Sequence, residues 1–328
     1  MLMKRSSWSG LFSRNAAVLR KSLAPLRARR KAASRGGDWQ AGWSMGTLGA
    51  HRYWIFRPDG VRFGERLPLL VMLHGCHQDA ASFAASTRMN TLAARERFLV
   101  LYPEQDRLSN PQGCWNWFDN GSAGRAPAEA AAILRAVEQA CVLYGADRER
   151  IAIAGLSAGA SMAALLATLH PQRFKAVAMQ AGVPPGLANS TLSAVKAMRG
   201  QHAAAASAAA APSKTPLPPL LVIHGSHDAV VSIHNAEAAA QQWQGACGAR
   251  EQPPRQLQRG QRYPMTVTDF TVGPRLAAQL VRVEGLGHAW SGGAARQRFS
   301  DPLGPDASRL IWRFVAKQFA ADPVTVGV

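Results

Sequence analysis

Residues 151–170 impose the strongest constraint on how this chain can fold. Ile151-Ala152-Ile153-Ala154 is a short apolar run, Gly155-Leu156-Ser157-Ala158-Gly159 follows it directly, and Ala158–His170 reads as an alanine- and leucine-rich helix. A Gly-x-Ser-x-Gly pentapeptide arises by chance in about one chain in ten of this length, so the pentapeptide alone decides little. Its setting decides more. A strand, a sharp turn and a helix in that order put a serine on a bend so tight that neighbouring Cβ atoms would collide, hence the two glycines. The bend lifts the hydroxyl clear of the sheet, and the helix N-terminus beneath it favours developing negative charge. The bland reading is a glycine-rich turn with an incidental serine, and it must be weighed against the partners found further along.

The rest of the chain repeats the same alternation. Leu67–Leu73 is a nearly continuous apolar run, as expected of a strand buried on both faces. Phe98–Tyr102, Arg150–Ala154, Phe174–Met179, Leu220–His224, Met265–Thr271 and Leu280–Glu284 read as further strands, and Thr47–Arg57 alternates like an edge strand. Between them Ala128–Tyr144 has helical spacing, and Ala307–Ala320 puts Leu310, Ile311, Phe314, Val315 and Phe319 on one stripe. The pattern predicts an α/β domain with a mostly parallel central sheet flanked by helices. Right-handed crossovers then bring the carboxyl ends of the strands to one edge, where loops build a site.

Composition matters at two places. The 328 residues are 47% hydrophobic and 18% charged, which suits a globular chain with one substantial core, and no apolar stretch is long enough for a spanning helix. The net charge of +18 would suggest nucleic acid, but ten of the 38 Lys and Arg lie in residues 1–35 with no acid among them. The remainder carries 28 against 20, or +8, dispersed and without a reading motif, so nucleic acid is disfavoured as a partner. Residues 1–44 read as a basic arm, either amphipathic (Trp8, Leu11, Phe12, Leu19, Leu23, Leu26) or disordered, and it is not a convincing secretory signal. Residues 45–328 read as the catalytic domain, interrupted by a flexible Ala- and Pro-rich insertion at about 183–219.

A serine needs a base, and the base needs an acid to orient it. The apolar run Leu220–His224 is followed by Gly225-Ser226-His227-Asp228, which makes Asp228 the candidate acid; its bland reading is a turn residue. The strand Leu280–Glu284 exits into Gly285-Leu286-Gly287-His288-Ala289-Trp290, which makes His288 the candidate base; its bland reading is a surface loop histidine. The order Ser…Asp…His, each at the end of a strand, argues against coincidence. An oxyanion hole needs two backbone N–H groups. Ala158 supplies one, and the loop His74-Gly75-Cys76-His77-Gln78-Asp79 supplies the other through Cys76. Cys76 could itself be a nucleophile, but nothing places it on an elbow, and His74, His77 and Asp79 make a thin case for a metal. No metal and no organic cofactor is expected.

Taken together, HGCHQD, FLVLYPEQ, NPQGCWNWF, RIAIAGLSAGASM and GLGHAWSGG resemble the poly(3-hydroxybutyrate) depolymerase family of esterases, and more narrowly its type 1 catalytic domain, over about residues 45–320. The resemblance implies an α/β-hydrolase fold, a triad of Ser157, Asp228 and His288, and oxyanion amides at Cys76 and Ala158. It implies that Cys76 and Cys114 are the family's cysteine pair, bridged in exported members and expected here as free thiols in a reducing cytoplasm. Gly159-Ala160 departs from the Gly-Gly that often follows in that family. The implied substrate is a short-chain polyhydroxyalkanoate or its oligomers. Trp115, Trp117 and Trp290 lie beside the motif loops and are expected to wall an apolar polyester chain, core packing being their bland reading. The expected location is cytoplasmic and granule-associated, with the arm on a granule or membrane surface; the alternative is extracellular. Two rivals stand: a feruloyl or acetylxylan esterase, and a surface-binding protein that uses the hydrolase domain as a scaffold.

Overall fold

The computed structural model describes residues 36–46, 49–121, 124–201 and 216–321. Residues 1–35 of the basic arm lie outside the described residues, as do 202–215 of the insertion expected at 183–219. Strands β1 (Gly37–Gly46), β2 (Gly49–Pro58) and β3 (Leu67–Leu73) are followed by helices α1 (Ala80–Thr87) and α2 (Met89–Glu96). Then come β4 (Leu99–Pro103), α3 (Arg125–Leu143), β5 (Ala146–Leu156), α4 (Ala158–Leu169), β6 (Ala176–Gln180) and α5 (Thr191–Met198). The second half holds β7 (Leu220–Gly225), α6 (His234–Cys247), the short β8 (Arg250–Glu251) and β9 (Arg255–Leu257), β10 (Met265–Val272) and β11 (Arg275–Val283). It closes with β12 (Trp290–Ser291), β13 (Ser300–Asp301) and α7 (Ala307–Ala320).

The main sheet runs β1-β2-β4-β3-β5-β6-β7-β11-β10-β8. Its centre, β4-β3-β5-β6-β7-β11, is parallel throughout. Antiparallel strands flank it on both sides. The central strands read as unbroken apolar runs because both faces are covered. Leu69, Val71 and Ile153 pack with α3, α4 and α6 on one face. Leu70, Met72, Ala152 and Ala154 pack with α1, α2 and α7 on the other. Each alternation step along a strand therefore feeds one of two cores.

Two boundaries read from sequence need correction. Residues 37–44, assigned to the arm, belong to the sheet, because β1 pairs with β2 along its whole length, and this makes β1 rather than 47–57 the edge strand. The segment 183–219 is also not uniformly loose. Ser190 caps α5 by accepting from Ser193 N, while the Ser193 hydroxyl returns to the Ser190 N–H. Ala194 and Ala197 are buried, and the Asn235 side chain of α6 donates to Ala197 O at 2.9 Å, which ties the helix end to the body. The flexible stretch expected at 202–215 lies outside the described residues.

Candidate active site

The elbow is set by what cannot be added to it. Ser157 has φ 56° and ψ −123°, a left-handed conformation that costs a non-glycine residue on the order of 1–3 kcal/mol. A Cβ on Gly155 would come within 2.3 Å of the Gly159 backbone. One on Gly159 would come within 2.2 Å of Leu73 O and 2.5 Å of His74 O. The helix α4 thus starts in direct contact with the end of β3, and both glycines of the pentapeptide are steric requirements. Ser157 N donates to Gln180 O at 2.9 Å, and the Gln180 side chain donates to Ala289 O beside His288. The end of β6 therefore fixes the elbow and the histidine loop together.

On that frame the three candidates meet. His288 Nε2 lies 3.0 Å from Ser157 Oγ, and His288 Nδ1 lies 2.8 Å from Asp228 Oδ2. Asp228 Oδ1 accepts from Val230 N at 2.9 Å and from Val231 N at 2.8 Å. Its side chain is fully covered, whereas 11% of the His288 side chain is exposed. Burial pushes the Asp228 carboxyl upward, but hydrogen bonds from His224 and His288, the charge of His288 and the Val231 amide outweigh it and hold the acid well below the usual carboxylate range. A depressed acid keeps its stabilising contribution above its unfolded value near about 4 and loses it only as pH falls through the folded value. Asp228 is therefore ionised at any pH where the imidazole beside it can act as a base.

Of the amides in the opposite loop, Gly75 N is taken by Gln78 Oε1, His77 N by Gln112 O and Gln78 N by Gly75 O. Cys76 N donates to no acceptor among the described residues. Gly75 stands against the elbow, its hypothetical Cβ 3.5 Å from Ser157 Cβ. Ala158, the first residue of α4, has no intrahelical acceptor for its N–H. Cys76 N and Ala158 N are thus donors without an acceptor among the described residues, on the two loops that meet at Ser157.

Cys76 is bridged to Cys114 across 38 residues, which corrects the expectation of free thiols. A buried polar network lies behind the bridge. Gln105 N donates to His74 Nε2, so His74 is protonated on Nδ1, which donates to Gly75 O. Gln105 Nε2 reaches Cys114 O and Glu129 Oε1, and Glu129 also accepts from Asn116 N and Nδ2. Burial raises the Glu129 carboxyl, with the Asn116 and Gln105 hydrogen bonds pulling the other way. With both His74 nitrogens engaged, that ring is a structural prop for the loop.

The three tryptophans expected to wall a substrate path are instead core residues, and that expectation is corrected. Trp115 and Trp290 are 2% and 0% exposed, and Trp117 is 7% exposed. Trp115 Nε1 donates to His74 O, Trp290 Nε1 donates to Ser308 Oγ, and Trp117 packs edge-on against Phe118. Their indole N–H groups and rings support the loops from beneath. Sequence reasoning also passed over His224, which ends β7 fully buried with Nε2 3.3 Å from Asp228 Oδ2. The available signal was a polar residue closing an otherwise apolar strand four positions before the acid.

A mostly parallel, doubly covered sheet with a serine on a strand–helix elbow and Asp and His on later loops is the α/β-hydrolase arrangement. Residues 51–251 match the model of the Esterase PHB depolymerase family, and the chain belongs to that family. It is 32% identical to poly(3-hydroxyalkanoate) depolymerase C of Paucimonas lemoignei over 57% of this chain and 46% of that protein. It is 30% identical to feruloyl esterase B of Neurospora crassa over 40% of this chain and 44% of that one. Probable acetylxylan esterase A of Aspergillus fumigatus is 25% identical over 72% and 65%. The chain spans about half the length of the first two. Among solved structures, the acetyl xylan esterase from Aspergillus awamori superposes with a TM-score of 0.63 at 20% identity, covering 77% of this chain and 94% of that one. The hyperthermophilic esterase from Pyrobaculum calidifontis gives 0.57 at 18% identity, covering 93% and 94%.

Replacing Gly159 with Ala forces its methyl into the Leu73 carbonyl, and we expect a loss of more than about 3 kcal/mol or no soluble protein. Gly245→Ala, in open space within α6, should leave stability unchanged or raise it by up to about 1 kcal/mol. Thermal unfolding of both variants checks the contrast; equal melting temperatures would refute the steric account.

Proposed function

We propose that the protein is a serine carboxylic ester hydrolase whose substrate is a short-chain polyhydroxyalkanoate or its oligomers. The observation that carries the chemistry is the unbroken relay from Ser157 Oγ through His288 to Asp228. The family match and the 32% identity to a poly(3-hydroxyalkanoate) depolymerase support the polyester.

In this mechanism His288 Nε2 takes the Ser157 proton as Oγ attacks the ester carbonyl, and Asp228 holds the ring and offsets the imidazolium charge. Cys76 N and Ala158 N receive the oxyanion. His288 returns the proton to the departing alcohol, leaving an acyl group on Ser157. Water, activated by the same nitrogen, then releases the hydroxy acid. Every proton transferred passes through His288 Nε2.

Release of 3-hydroxybutyrate from amorphous granules and oligomers should occur with wild type, and kcat should fall by on the order of 10⁴ or more in Ser157→Ala. Preferential release of ferulate or acetate would replace the polyester with the glycan-ester reading. Binding without serine-dependent cleavage of any ester would leave a surface-binding scaffold.

The Cys76–Cys114 bridge supports residence in an oxidising compartment over the cytoplasm, since cytosolic thiols are kept reduced. Alkylation in denaturant without reductant, on protein taken directly from its native cells, should then modify Cys141 and Cys247 but spare Cys76 and Cys114; modification of all four points to the cytoplasm. A granule or membrane contact through the arm rests on its basic, apolar-striped sequence. Removing residues 1–35 should lower association with native granules and leave cleavage of a soluble p-nitrophenyl ester intact, and unchanged association would end that proposal.

A further inference from the structure

Asp228 serves two histidines rather than one. His288 Nδ1 meets Oδ2 at 2.8 Å, and His224 Nε2 approaches the same oxygen at 3.3 Å while lying 2.8 Å from Val231 O. A carbonyl can only accept, so Nε2 of His224 carries the proton and donates it to Val231 O, with the same N–H edge 3.3 Å from Asp228 Oδ2. Its other nitrogen, Nδ1, is buried and has no partner among the described residues. A second proton there would be an unpaired donor in a covered site, so the ring is neutral and a donor at Nε2 alone. His224 closes a ring of bonds, because Val231 N itself donates to Asp228 Oδ1.

We infer that His224 is a positioning residue which, by holding its Nε2–H edge against Asp228 Oδ2, limits the hold of that carboxylate on protonated His288. The inference rests on the proposed reaction for its consequence but not for its geometry. An acid oxygen that accepts a second N–H has less negative charge to offer the first. The groups that meet Asp228 are His224 from β7, His288 from the loop after β11, and the Val230 and Val231 amides; no lysine or arginine among the described residues pairs with it. Without the His224 donor, Asp228 draws His288 toward the protonated form. The neutral base is then lost at a higher pH, and the acid limb of kcat/KM moves up. A structural prop for Val231 alone would have no such effect.

Two polar substitutions separate the roles. Glutamine carries an amide nitrogen to about the position of imidazole Nε2, whereas asparagine reaches only to about Nδ1. Ring-¹³C-histidine NMR should follow the titration of His288 in wild type, His224→Gln and His224→Asn, beside the pH profile of kcat/KM on a soluble p-nitrophenyl ester. The expected result is an upward move of the His288 midpoint by about half a pH unit or more in His224→Asn, with His224→Gln close to wild type. The acid limb should move by the same amount. Equal midpoints in all three proteins, with only melting temperature lowered, would overturn the inference, as would equal shifts in both variants. Should neither variant fold, long-range ¹H–¹⁵N spectra of wild type decide. The proton on Nε2 of His224 is expected, and a proton on Nδ1 overturns it. If wild type cleaves no ester, the functional reading fails while the NMR titration still judges His224.

Discussion

The start of α4 presses on the end of β3 with no side chain between them. Because Gly159 lacks a Cβ, its backbone lies against the Leu73 and His74 carbonyls, and Gly155 admits the Gly159 carbonyl in the same way. This contact brings two separate loops to one place. The elbow that carries Ser157 and the loop that carries Cys76 belong to neighbouring parallel strands, which alone would leave them about 5 Å apart with side chains intervening. Removing those side chains brings the Ser157 turn against the loop that carries Cys76, with a Cβ on Gly75 only 3.5 Å from Ser157 Cβ. The left-handed backbone at Ser157 is sustained by the same crowding, since the surrounding bonds to Gln180 and Ser161 leave the turn no relaxed alternative.

Behind the oxyanion loop the polar groups form a chain that leads inward. Cys76 is bridged to Cys114, whose carbonyl is held by Gln105, whose amide is held by Glu129 on α3. The His74 ring is fixed from Gln105 on one side and bonds Gly75 on the other, with Trp115 donating to its carbonyl. A loop carrying a free N–H needs such support, because an unpaired amide otherwise turns to find water or a neighbouring carbonyl. Trp115 belongs to this account. An indole offers a large apolar body and one donor, which suits it to plug the space under a loop while bonding the loop's carbonyl.

Much of this was legible in the chain. Strands buried on both faces must be apolar throughout, so β3, β4, β5 and β7 announce themselves, and the three triad candidates follow from their positions at strand exits. Other parts were hidden for specific reasons. β1 is largely exposed and interrupted by glycines, so GDWQAGWSMG has no core-facing alternation, and its place comes from pairing with β2. The helix α5 is built of small residues beside a low-complexity tract, and its anchor is Asn235, some forty positions away. The roles of Trp115, Trp117 and Trp290 depend on which way each ring points, which residue type does not specify. His224 was masked by its context, since one polar residue at the end of an apolar strand looks like the strand's stop.

The acid loop shows why such a residue matters. Asp228 is desolvated, which by itself would return its proton and remove the charge the base requires. Two backbone amides on one oxygen and two imidazoles on the other keep it ionised. Those four donors act unequally on the base. The amides are fixed by the turn and can only stabilise the charge, while His224 and His288 compete for a single oxygen. In the proposed reaction, an acid held solely by His288 would be a stronger partner for the imidazolium that forms when the serine proton is taken. On the inference drawn for His224, two rings at Oδ2 let the carboxylate stay charged in a covered site without binding a protonated His288 too tightly. That balance is struck within β7 and its exit loop, on residues that need never touch the substrate.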